Sequence, residues 1–119
     1  MNVKLVVLSA GIEAVTGILL IAVPSFVSWL LFAAALPPIG ELTGRVAGFA
    51  LTSLAIAAWP SANAAGRNAV WGLLAYNALA AILFLYVGIR GESVGFLLWP
   101  AFALHAAMTV LFARAARSA

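Results

Sequence analysis

The chain reads as an all-α integral membrane protein: a four-helix bundle with a short interfacial or re-entrant helix between spans 1 and 2. Three observations carry this. Of its 119 residues, 66% are hydrophobic and only 8% are charged, whereas a soluble domain carries about a quarter charged residues. Mean hydropathy is +1.19. The apolar residues fall into runs rich in Ala and Leu, broken by prolines and short polar turns, without the period-two alternation of a membrane β-barrel. Helices satisfy their own backbone hydrogen bonds, as lipid requires. Four spans of about 20 residues use about 80 positions, so residues 1–119 form a single domain.

Span 1 is expected over about 3–23, ended by Pro24. Lys4 and the apolar run that follows share two features of a signal peptide, but Glu13 interrupts that pattern and the segment reads as a span. Residues 25–36 are apolar but too short to cross, and Pro37-Pro38 stop them. Span 2 is expected over about 39–59, followed by Pro60 and a polar turn containing Asn63, Gly66 and Arg67. Span 3 is expected over about 69–88 and span 4 over about 94–114; the short turn through Arg90, Gly91 and Glu92 makes them an antiparallel hairpin. Pro100, inside span 4, is expected to free the carbonyl of Phe96 and kink the helix.

Six basic residues face three acidic ones, for a formal charge of +3. The basic residues form no run, so nucleic acid is not an expected partner. Lys4, Arg67, Arg114 and Arg117 lie on one side of a four-span arrangement, against Arg45 and Arg90 on the other. That asymmetry places both termini in the cytoplasm. Trp59 and Trp71 then belong to the inner interface, and Trp29, Tyr86 and Trp99 to the outer one. Cysteine is absent, which excludes disulfides, thiolate metal sites, iron–sulfur clusters and thiol catalysis. With one histidine, the chain alone offers no bis-histidine haem site. No cofactor and no metal site is implied.

Gly40, Gly44, Gly48 and Thr52 recur every four residues along span 2. This small-residue ridge allows close helix approach, either within the bundle or in a homo-oligomer.

The informative residues are polar and intramembrane. At about 1.5 Å per residue, Glu13 lies about 15 Å in from Val23, Asn77 about 16 Å in from Gly88, and His105 about 16 Å in from Val94. Thr52 is somewhat deeper in span 2. All fall near the midplane of a ~30 Å hydrocarbon core. A charge there costs about 2.5–3.5 kcal/mol on insertion scales, so Glu13 needs a partner, a water or a proton. Arg45 sits about 9 Å in from Ile39; it can pair with Glu41 in the favourable i,i+4 order or reach down toward Glu13. The expected site is a polar centre walled by aromatics. Glu13 and His105 are its candidate acid/base pair. Asn77, Thr52 and Arg45 are candidate polar contacts, and Phe84, Phe102, Phe112 and Trp99 a candidate apolar lining. Each also has a structural reading: Asn77 as interhelical glue, His105 as a satisfied core residue, the phenylalanines as core.

The mid-helix acid in Gly11-Ile12-Glu13-Ala14, the stretch Gly44-Arg45-Val46-Ala47-Gly48 opening span 2, and the compact hairpin of spans 3 and 4 resemble the small DoxX-like four-helix membrane proteins. That resemblance implies the fold more than an activity: its members are quinone- or redox-associated membrane subunits, or membrane proteins of unassigned role. The expected location is a bacterial inner membrane. The first-span glutamate is also similar to that of small multidrug-resistance transporters, in which such a carboxylate exchanges protons for a cationic substrate. The long proline-rich 24–38 connection, Arg45 and His105 depart from that pattern. Three functions follow as expectations. One is binding of a hydrophobic small molecule (quinone, isoprenoid or lipid), with isomerase or cyclase chemistry as a variant. The others are a structural subunit of a membrane complex, and a proton-coupled exporter.

Overall fold

The computed structural model describes residues 3–61 and 66–118. The expected turn residue Asn63 lies outside them. Five helices follow in order: α1 (Val3–Ala22), α2 (Pro24–Phe32), α3 (Pro38–Ala58), α4 (Arg67–Arg90) and α5 (Leu98–Arg117). Three of these, α1, α4 and α5, are long and apolar enough to cross a membrane. The 21-residue α3 matches them in length, but Glu41 and Arg45 in its first two turns lower its hydropathy.

The prolines act as helix starts. Pro24 occupies the first turn of α2 and Pro38 that of α3, where the missing N–H costs nothing because it has no intrahelical acceptor. Helix α2 is shorter than the 25–36 expected; Ala33 closes it in the left-handed conformation, φ 54°, with its N–H on the carbonyl of Trp29. Helix α4 extends beyond the expected 69–88 at both ends, and Gly91 caps it at φ 72°, the conformation that glycine adopts without a Cβ clash.

The largest departure is at α5. It begins at Leu98, not near 94. Residues 95–97 are held outside it: Gly95 N–H donates to Leu31 O at 2.9 Å, and Leu97 N–H to Leu30 O at 2.8 Å. These bonds satisfy the carbonyls that α2 leaves open at its C-terminus. Pro100 is therefore the third residue of α5. It breaks no i→i−4 bond, and Phe96 is outside the helix, so the expected kink has no cause here.

Helix α1 packs chiefly on α3, and α4 chiefly on α5. The two pairs meet along a narrower seam, with α2 touching α1, α3 and α5 at one end. The molecule measures 42 × 28 × 17 Å, about two helix layers thick, and its long axis matches a bilayer with its interfaces. The α1–α3 crossing is close because Gly17 and Gly48 face each other: a Cβ built on Gly48 would lie 2.6 Å from Gly17 O. Gly44 meets Pro24, and Gly40 meets Leu36 and Pro37. The ridge on α3 is thus used inside the chain. At the end opposite α2, Leu5, Val6, Ala58, Val70, Leu73, Met108 and Phe112 form a buried apolar cluster. Trp29, Trp59, Trp71, Tyr86 and Trp99 are all exposed, toward the two ends of the long helices.

A polar cluster on the seam between two helix pairs

Four of the five buried polar side chains among the described residues collect on the seam; the fifth, Ser28, is in α2. Ser9 and Glu13 lie one turn apart on α1, Asn77 is on α4 and His105 on α5; the first three are 1% exposed and His105 is 8% exposed. Asn77 is the junction. Its Nδ2 donates to Leu73 O at 2.8 Å and to Ser9 Oγ at 3.3 Å. With both donors so placed, its Oδ1 is the acceptor that faces His105 Nδ1 at 2.8 Å. The imidazole therefore carries its hydrogen on Nδ1, and in the neutral ring Nε2 is left as an acceptor. One amide thus links α1, α4 and α5.

Glu13 is held differently. Its carboxyl faces the Tyr76 hydroxyl, while Oε2 is buried with no hydrogen-bond partner among the described residues. No ion pair among those residues reaches it: the two present are Arg45–Glu41 at 3.9 Å and Arg90–Glu92 at 2.9 Å. Tyr76 joins the two halves of the cluster, because its ring meets His105 edge-on with centroids 5.7 Å apart. On the other side of the imidazole stands Phe84, at 5.5 Å, with Phe32 of α2 6.2 Å beyond it.

Of the candidate residues, Glu13, Asn77, His105 and Phe84 come together, while five stand elsewhere. Thr52 donates to Gly48 O at 2.9 Å and lines an open groove of about 480 Å³ between α1 and α3, with Ala14, Ala55, Ile56 and Trp59. Arg45 does not reach Glu13: its Nε donates to Ile21 O at 3.1 Å, placing a cation on the carbonyl end of α1, where the helix dipole favours it. Its partner Glu41 accepts from Ser25 Oγ at 2.9 Å, and Ser25 Oγ in turn accepts from Leu36 N–H at 3.0 Å. This second network ties the C-terminal end of α1 to α2 and to the first two turns of α3. Phe112 belongs to the apolar cluster at the opposite end. Trp99 packs on Gly88 and meets Phe102 edge-on at 5.8 Å. His105 is seven residues into α5, about 10 Å by helical rise, yet the displaced start of that helix still sets it level with Asn77.

Tyr76 was not among the candidates. The available signal was a tyrosine beside Asn77 in mid-helix, where a phenol needs a hydrogen-bond partner when it is buried. The groups assembled are a carboxyl, a phenol, an amide and an imidazole. Together they can grip one polar head group and move a proton along it. No family model, curated protein or solved structure matched the chain.

Proposed function

We propose that this chain is a four-span integral membrane protein of DoxX-like pattern, in a bacterial inner membrane with both termini cytoplasmic. We further propose that it binds a hydrophobic small molecule, such as a quinone, isoprenoid or lipid, by its polar end at the seam. In this reading α3 is the remaining span, and its outer-end charges are neutralised by the Glu41–Arg45 pair. The observation that carries the binding role is Glu13: a carboxyl oxygen buried without a hydrogen-bond partner among the described residues, on the same seam as an imidazole whose Nδ1 is taken by Asn77. Buried polar atoms are almost always satisfied, and an unsatisfied one costs about 1–3 kcal/mol. Such a cost is retained where a ligand supplies the missing bond. The head group enters between the helix pairs, where packing is thinnest.

The test is native mass spectrometry of the protein released from nanodiscs made with the source membrane lipids. The expected spectrum contains an adduct of one hydrophobic molecule that Glu13→Leu abolishes. A second reading, a structural subunit, is favoured by the Asn77 bridge between helix pairs. In that case Glu13→Leu lowers stability, and wild type carries no adduct beyond bulk lipid.

A further inference from the structure

The hydrogen-bond polarity of the seam selects among the ligand classes named above, and the selection rests on that reading. Asn77 fixes the imidazole: both amide donors are committed to Leu73 O and Ser9 Oγ, so Nδ1–H is the donor to Oδ1 and Nε2 presents a lone pair. Glu13 Oε2 lacks a hydrogen-bond partner among the described residues. Ionised, it needs a donor; protonated, it needs an acceptor. Tyr76 stands between the two residues, interacting with the Glu13 carboxyl through its hydroxyl and with His105 through its ring, edge-on at 5.7 Å.

We propose that the site takes a ligand whose polar end is a hydroxyl, an isoprenoid alcohol or a quinol, in preference to a carbonyl or an ether. A hydroxyl donates to His105 Nε2 and still offers its oxygen to a protonated Glu13; if Glu13 is ionised, it donates to one atom or the other. A quinone or aldehyde carbonyl, or an ether, accepts only, and leaves Nε2 unsatisfied. Sites that hydrogen-bond a hydroxyl discriminate strongly against analogues lacking it, because a buried group is then orphaned.

The experiment presents farnesol, farnesal and farnesyl methyl ether at equal concentration to wild-type protein in nanodiscs, and reads bound populations by native mass spectrometry. The tail is constant and only the head changes. Farnesol is expected to exceed each analogue at least about tenfold. His105→Phe keeps the ring and removes the acceptor, and is expected to bring the three probes within about threefold of each other; circular dichroism checks that it folds. Equal binding of all three to wild type overturns the hydroxyl preference and leaves the binding reading standing. Binding of none overturns the binding reading itself. A farnesol preference that persists in folded His105→Phe overturns the role given to Nε2.

Discussion

Replacing Asn77 by Leu removes the junction of the seam while conserving volume. Two interhelical hydrogen bonds are lost, to Ser9 Oγ at 3.3 Å and from His105 Nδ1 at 2.8 Å. Such bonds average about 0.6 kcal/mol in membrane proteins and reach about 1.7. The partners fare unequally. Ser9 can turn its hydroxyl to a carbonyl of its own helix. The imidazole of His105 is flanked by the Tyr76 and Phe84 rings; whichever nitrogen carries the hydrogen, Nδ1 loses its partner, and a buried polar atom left unsatisfied costs about 1–3 kcal/mol. The sum is about 2 kcal/mol, or about thirtyfold in the folding equilibrium. The assay is reversible unfolding by SDS in mixed micelles, followed by the fluorescence of the four tryptophans. A double-mutant cycle with His105→Phe isolates the pair and is expected to give a coupling of about 1 kcal/mol. A coupling below about 0.3 kcal/mol, the level at which independent sites already scatter, would refute the reasoning.

Further outcomes follow from the backbone and the topology. Gly48→Ala places a methyl 2.6 Å from Gly17 O, forces α1 and α3 apart, and is expected to cost about 1–3 kcal/mol in the same unfolding assay. Gly95→Ala drives a Cβ into Leu30 O and endangers both bonds between the α4–α5 connection and α2. Faster hydrogen exchange at the amides of residues 95 and 97 is the expected sign, whereas Gly11→Ala, with nothing within 4 Å of its new Cβ, is expected to leave exchange there unchanged and to stabilise α1 by about 0.5–1 kcal/mol. Because the chain has no cysteine, Ala35→Cys and Ser61→Cys each report one site without background. A four-span topology requires an impermeant maleimide to label the Ala35→Cys variant from outside intact cells and the Ser61→Cys variant only after permeabilisation. Labelling of both variants from one side contradicts it.

The helices were legible because hydropathy and proline placement are one-dimensional signals. The runs up to Ala22 and from Pro38 are bounded by residues that act locally. The start of α5 was not legible. Val94 to Leu97 are as apolar as the helix that follows, and only the open carbonyls of Leu30 and Leu31, distant in sequence, hold Gly95 and Leu97 out of it. The same displacement turned Pro100 from an expected kink into a first-turn residue. Within the site, counting along each helix gives depth but not rotation. Glu13, Asn77 and His105 share both, while Thr52 shares only depth and faces the α1–α3 groove. Phe112 likewise turns toward the apolar end. Arg45 stays with Glu41 because the last carbonyls of α1 are close at hand. Tyr76 escaped notice because tyrosine in a membrane helix ordinarily marks the interface, and its partner is 63 positions away on another helix.

One carboxyl, one amide and one imidazole are buried on a single seam between the helix pairs. Magic-angle-spinning NMR of the protein in lipid bilayers, labelled at Glu, Tyr, Asn and His, tests this arrangement most directly. The predicted spectrum shows His105 protonated on Nδ1, with through-space contacts from its ring to the Asn77 side chain and from the Glu13 carboxyl to the Tyr76 ring. An imidazole protonated on Nε2 alone, with neither contact, would contradict it.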